Sequence, residues 1–401
     1  MSSIPAEAVA SQTRAAEYPV DLARAPARID SIDRLRGFVI VLMTLDHVRD
    51  YFSNAEFNPL DLGQTDFAMF MTRWITHLCA PIFVLLAGLS ASLMAQRMQT
   101  AELRLFLISR GLWLIALEVT VVQFAWSFNF RYDYGLFLQV IWAIGASMVI
   151  LGALSAVPRW ILGSLAIAMI AGHNLLDGLA PATFGQAAWI WQLLHVQGPT
   201  AFGFVSYPLV PWIGVMILGF CAGPIFEMQE QQRRRVLVVL GATALSAFIV
   251  LRLINVYGDP HPWSAQSTSL LTVLSFLNVH KYPPSLAYLL VTLGIGVLLL
   301  AAFEQLRGGL TAVMRVFGRV PLFAYVLHIV LAHLAAGLLA LASGFGDVLL
   351  RNVFIAKPLG WGFGLFGVYV AWLAVLAALY PACRWFAEVK RTRKEWWLAY
   401  L

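Results

Sequence analysis

The sequence predicts an all-α polytopic membrane protein, with about ten transmembrane helices and one or two short interfacial or re-entrant helices. Composition is the first reason. Of 401 residues, 60% are drawn from Ala, Val, Ile, Leu, Met, Phe, Trp, Tyr and Cys and only 12% are charged, about half the ~25% of a soluble domain. The second is that apolar runs near the roughly 20 residues needed to cross a bilayer recur along the chain. The third is that cations gather in alternate connecting segments, the signature of a fixed orientation in the membrane. A soluble α/β enzyme is excluded. Cys79, Cys221 and Cys383 lie far apart with no CxxC spacing, so neither a disulfide framework nor a cysteine zinc site is expected, and no metal is expected.

Residues 1–30 are polar and Ala/Arg-rich, without the apolar core of a cleaved secretory signal, and read as a disordered cytoplasmic tail. The transmembrane domain occupies 31–388. Its ten spans are expected near 35–52, 70–95, 105–127, 136–156, 160–178, 201–225, 236–257, 283–303, 318–342 and 360–386. Two shorter apolar stretches, 187–196 and 269–279, read as interfacial or re-entrant helices. A basic, Trp-rich tail over 389–401 lies along the inner surface.

With ten spans and the N-terminus inside, 20 of the 27 Lys and Arg residues fall in inner segments, among them Arg34, Arg36, Arg110, Arg233–Arg235 and Arg319. Both termini are therefore expected in the cytoplasm, and the chain in the inner membrane. This bias accounts for the net charge of +6 without a nucleic-acid partner. The halves of the chain do not echo one another, which counts against inverted-repeat transporters.

An ionisable group at a helix centre costs at least about 2.5 kcal/mol in lipid, so each one kept there needs a partner, a cavity or a function. In SIDRLRGFVIVLMTLDHVRDYF, Asp46 and His47 stand about 16 to 18 Å above Leu35, in the outer half. In TRWITHLCAPIFVLLAG, His77 lies about 10 Å below the outer surface, near Arg73 and Trp74. In GRVPLFAYVLHIVLAH, His328 is expected near the midplane and His333 in the His47 layer. Asn278, His280, Lys281 and Tyr282 in LNVHKYPPSLAYLL reach the outer rim. Within span one, contacts three residues apart favour Asp46 with Arg49 and His47 with Asp50, the second able to orient the imidazole as a base. On the inner side, Arg34, Arg36, Arg110 and Arg319 either snorkel or bind phosphate, and Glu118 and Trp126 line a route or join helices.

These motifs, together with YPLVPWIGVMILG, resemble the bacterial membrane proteins grouped with the heparan-α-glucosaminide N-acetyltransferase catalytic domain, long labelled a domain of unknown function. The resemblance covers roughly residues 28–385, and more widely it is to the transmembrane acyltransferases. It implies an enzyme that takes an acyl group, acetyl above all, from cytoplasmic acetyl-CoA as co-substrate and places it on a sugar or glycan-like acceptor across the lipid bilayer. Homo-oligomers are compatible with it. Where the lysosomal enzyme carries a loop histidine before a Trp-Asn pair, this chain reads Asn54-Ala55-Glu56-Phe57-Asn58, so the role has either moved to His47 or been lost.

On this resemblance the donor phosphates meet Arg34, Arg36, Arg110 and Arg319. His47 or His77 removes the acceptor proton, helped by Asp46 or Asp50, and Asn278, Lys281 or Tyr282 stabilises the oxyanion. Arg73, Trp74, His280, Tyr282 and His333 line the acceptor side. Direct transfer and an acyl-histidine both remain open. The alternative is a small-solute or proton-coupled transporter, because histidines and carboxylates at membrane depth also form proton relays.

Overall fold

The computed structural model describes residues 29–132, 135–351, 357–393 and 395–400. Residues 1–28, which carry most of the expected N-terminal tail, lie outside them, as do Asp133 and Lys394. The described chain is mostly helical. Its helices are α1 (Asp30–Phe52), α2 (Phe67–Ala95), α3 (Thr100–Ser127), α4 (Val140–Leu154), α5 (Arg159–Leu176), α6 (Ala188–Leu194), α7 (Leu209–Glu227), α8 (Glu230–Ile254), α9 (Ser269–Leu277), α10 (Leu286–Gln305), α11 (Gly309–Arg319), α12 (Pro321–Ala342), α13 (Val348–Arg351) and α14 (Leu365–Thr392). Eight of them, α2, α3, α5, α7, α8, α10, α12 and α14, are long and apolar enough to cross a membrane. The two other expected spans are α1, whose 23 residues carry charge at both ends, and α4, an apolar helix of 15 residues.

Local chemistry sets the helix starts. Asp66 accepts from the Met69 amide at 2.8 Å and opens α2, Ser285 accepts from Tyr288 at 3.0 Å and opens α10, and Pro321 takes the first position of α12. Two helices are irregular. A 3-10 turn, Thr76–Leu78, interrupts α2, and a π turn, Glu118–Val122, interrupts α3, a form of insertion frequent at functional sites.

Three departures from the expected spans have local causes. The stretches expected to begin spans at 136 and 201 instead form short strands, β1 (Leu136–Leu138) and β3 (Gly203–Val205). With β2 (Gly198–Thr200) they make a three-stranded sheet in the order β1-β3-β2, parallel and then antiparallel. Prolines at 199 and 208 hold this segment out of a helix until Leu209. Third, the loop expected before span nine contains α11, an amphipathic helix flat against α1.

Helix α1 is the centre of the bundle, packed against α2, α10, α11, α12 and α14 and buried along most of its length, Asp33, Arg34 and Arg49 included. A helix so charged is stable at membrane depth only inside protein. Gly37 and Gly318 let α11 approach it: a Cβ on Gly37 would sit 1.7 Å from the Met314 carbonyl oxygen, and one on Gly318 1.7 Å from that of Asp33. Arg34 then donates from Nη1 to the Phe303 and Leu306 carbonyls, at 2.8 and 3.0 Å, closing the C-terminus of α10.

Candidate active site

His47 projects from the C-terminal half of α1 toward α12, where its Nδ1 lies 2.7 Å from Nε2 of His328 and the two rings stack at 4.9 Å. Nδ1 of His328 is 2.9 Å from the Ala324 carbonyl. A carbonyl only accepts, so that nitrogen carries the hydrogen of a neutral ring, and its Nε2 accepts from His47 Nδ1–H. The chain of bonds fixes one tautomer of His47, with an unprotonated Nε2 and no hydrogen bond to it among the described residues. The indole of Trp126 meets the ring edge-on at 4.8 Å. An imidazole held this way has the tautomer and the free nitrogen that a general base requires.

Asp46, the preceding residue, faces another way. It bonds Arg49 at 3.0 Å and receives Nη1 of Arg73 on both oxygens, at 3.2 and 3.3 Å. Arg73 also donates to Thr76 at 3.0 Å. The expected pairing of His47 with Asp50 does not form, because Asp50 binds the Arg49 guanidinium at 2.5 Å. Lys281, buried beside this group, places its ammonium 5.1 Å from the Tyr282 ring and 6.0 Å from that of Tyr207. Burial drives the Tyr282 phenol up, but the Lys281 ammonium and the Arg73 guanidinium outweigh it and hold the phenol below the ordinary tyrosine range. Such a phenol is a ready donor to a developing oxyanion. His77 lies within electrostatic reach of Arg73, Lys281 and Asp46, fully buried, with neither ring nitrogen hydrogen-bonded.

The structure therefore brings together Asp46, His47, Arg73, His77, Lys281 and Tyr282, with Arg49. It sets others apart. Asn278 donates to the Leu60 carbonyl at 3.1 Å and holds the loop between α1 and α2, and Trp74 donates to the Leu277 carbonyl at 2.8 Å at the end of α9. The Nε2 of His280 meets the Tyr282 carbonyl at 2.9 Å, and its ring meets that of His261 edge to face at 4.8 Å. His333 lies between Tyr51 and Phe128, with its nitrogens on the carbonyls of Ala125 and Leu349 at 3.0 and 2.5 Å.

His328 thus takes the place expected of His333, for a geometrical reason. Depth counted from helix starts assumes that all starts share a plane. Gly318 is seated against Asp33 and Gly37 of α1, so α12 begins about ten residues, nearly three turns, above the Asp30 start of α1. Seven residues on, His328 reaches His47, and five further His333 reaches Tyr51.

The four arginines expected at the inner face also separate. Arg34 is committed to the end of α10. Arg36 bonds Ser90, the Leu86 carbonyl and, at 3.6 Å, Asp33. Arg110 donates to the Ala399 carbonyl at 2.6 Å and lies close enough to Arg36 to feel its charge. Arg319, at the α11–α12 break, has a buried Nε without a partner. Glu118, at the π turn, accepts from the Trp142 amide at 2.8 Å and so caps α4 rather than lining a passage.

Two cavities bear on access. The larger, about 720 Å³, is an apolar groove between α12 and α14 that suits lipid tails. The smaller, about 210 Å³, is lined by Arg49, Asp50, Ser53, Phe57, Pro59 and Lys357, beside the polar group.

No curated protein matches the chain. The family model described as heparan-α-glucosaminide N-acetyltransferase, catalytic, matches residues 28–253, from the start of α1 to the end of α8. The match contains His47, Asp46, Arg73 and His77, while Lys281, Tyr282 and His328 enter the site through the fold alone. With more than half of its residues covered, the chain belongs to the heparan-α-glucosaminide N-acetyltransferase catalytic family, a family of membrane acetyltransferases that use acetyl-CoA.

Proposed function

We propose that the protein transfers an acetyl group from cytoplasmic acetyl-CoA to a sugar-like acceptor on the outer side of the inner membrane. In this reading α1 and α4 complete ten crossings and both termini are cytoplasmic. One observation carries it: Arg36 and His47 are 11 residues apart on α1, three full turns, which puts them on one face about 16 Å apart. A pantetheine arm spans on the order of 15 to 20 Å when extended. Phosphates held by Arg36 and Arg110 would set the thioester beside His47.

The chemistry then follows from the side chains. The Nε2 of His47 takes the proton from the acceptor hydroxyl or amine as its oxygen or nitrogen attacks the thioester carbonyl. His328 holds the ring in register and shares the charge. Tyr282 and Lys281 stabilise the oxyanion, the C–S bond breaks, and the imidazolium returns its proton to the leaving thiolate. Asp46 keeps Arg49 and Arg73 fixed beside His47, and the acceptor approaches through the cavity at Arg49, Asp50 and Lys357. Direct transfer needs no covalent enzyme intermediate.

The test uses purified protein in nanodiscs with radiolabelled acetyl-CoA. Arg36→Ala and Arg110→Ala should weaken donor binding, while His47→Ala should spare binding and abolish transfer to an amino-sugar acceptor. Absence of acetyl-CoA affinity in the unaltered protein, or full transfer by His47→Ala, would reject the reading; the first would favour a transporter.

A further inference from the structure

Away from the chamber, at the outer end of α5, three side chains that ligate metals converge. His173 begins the last, 3-10 turn of α5 and is 2% exposed. Asp177 follows four residues later on the same face. His195 follows α6 and is 1% exposed. The His195 Nε2 lies 3.1 Å from an Asp177 carboxylate oxygen, and the two imidazoles meet edge to face at 5.6 Å. One donor atom from each residue can be chosen so that all lie within 4.8 Å of one another.

The hydrogen bonds do not explain why these groups are buried here. Neither nitrogen of His173 has a hydrogen-bond partner, and Nδ1 of His195 has none. The Pro284 carbonyl lies beside His173, poorly aligned for a bond. A His–Asp pair alone would occupy one of the four ring nitrogens and leave three without function. Buried imidazoles that give up water normally recover a partner, and a cation is a partner that nitrogen lone pairs can take in common.

We propose that His173, Asp177 and His195 bind a zinc-like divalent transition-metal ion. Two imidazole nitrogens and one carboxylate oxygen suit zinc and its neighbours better than magnesium or calcium, which favour oxygen alone. Tetrahedral ligands about 2.0 to 2.1 Å from zinc stand roughly 3.4 Å apart, so the trio must contract. Asp177, on the exposed side of the trio, can make that move through its side-chain torsions, and water can fill the remaining position there. The expectation of no metal rested on cysteine spacing and did not consider this trio.

The ion would fasten the outer end of α5 to the segment after α6. Between two of the ligands, Asn174 accepts from the Leu286 amide at 2.9 Å and anchors the start of α10, directly after the loop that carries Lys281 and Tyr282. The metal would therefore stiffen the start of α10 and the loop before it without touching the reacting atoms. The binding claim is independent of the acetyltransferase reading.

The experiment takes full-length protein stripped with a chelator, then titrates zinc against a fluorescent zinc indicator and records the visible spectrum after cobalt substitution. The expected result is one zinc per chain, a cobalt spectrum typical of four coordination, and a rise in melting temperature on adding zinc. Asp177→Asn, at an exposed position where folding is safe, should weaken binding at least about tenfold, and His195→Gln further. If His195→Gln fails to fold, Asp177→Asn decides. Zinc binding absent from the unaltered protein, or of equal affinity in Asp177→Asn, overturns the proposal.

Discussion

Replacing His328 isolates the contribution of a residue that acts only through another. His328→Leu keeps the volume of the fully buried ring but removes the acceptor 2.7 Å from His47 Nδ1. A buried donor left without its partner costs about 1 to 3 kcal/mol. At 1.36 kcal/mol per factor of ten, that is a loss of roughly 5- to 150-fold in kcat if it falls on the reactive geometry. Removing the base itself, in His47→Ala, should cost about 10² to 10⁴. His328→Gln, whose amide oxygen accepts, should recover part of the loss. The assay is thiol release from acetyl-CoA in the presence of an amino sugar, with KM for the donor measured alongside and the fold checked by gel filtration. KM should hardly move, because the histidine pair lies three turns from Arg36. A His328→Leu protein that keeps kcat within twofold refutes the tautomer argument. A rise in donor KM with unchanged kcat does the same.

Other predictions concern the scaffold and its charges. Gly37→Ala places a methyl 1.7 Å from the Met314 carbonyl and forces α1 and α11 apart. The overpacking should cost about 1 to 3 kcal/mol and lower the melting temperature by at least about 3 °C, seen by thermal unfolding in detergent. Asp46→Asn strips the carboxylate charge from Arg49 and Arg73 and should destabilise by about 3 kcal/mol or more; adding Arg73→Met should restore much of it, giving a clear coupling in a double-mutant cycle. Burial, with the neighbouring His261, holds His280 below its ordinary value. The folded protein then binds fewer protons than the unfolded one, so this group adds no penalty above about pH 6.5 and destabilises increasingly below it. Melting curves of His280→Gln should fall less steeply with acid than those of the unaltered protein.

The long helices were legible because a run of about 20 apolar residues has few other fates. The pieces that do not cross were not: α11 has too many polar residues to register as a span, and β1 and β3 are three residues each, shaped by partners distant in the chain. In the candidate site, the cluster around Asp46 and His47 stood out because charge at that depth demands an explanation. His328 sat in the same sequence window, but its partner depended on the seat of Gly318 against α1. The arginines show the same limit from the other side. Cationic character near one end of the bundle was plain from the sequence, yet only the fold shows Arg34 on the carbonyls that end α10, Arg36 on Ser90, Leu86 and Asp33, and Arg110 on Ala399. The trio at 173, 177 and 195 has no signature in the sequence, because His195 stands 18 residues beyond Asp177, across a loop and α6.

The charge on α1 also bears on biogenesis. It precedes the other described helices in the chain, yet Asp33, Arg34, Arg36, Asp46, Arg49 and Asp50 make it a poor substrate for partition into lipid by itself. Its neighbours α10, α11, α12 and α14 are synthesised some 230 residues or more later. α1 is therefore enclosed only after the C-terminal half has been made, and in nascent chains halted before Leu286, in which α2, α3, α5, α7 and α8 are already long and apolar enough to cross the membrane, α1 should stay open to water-soluble probes.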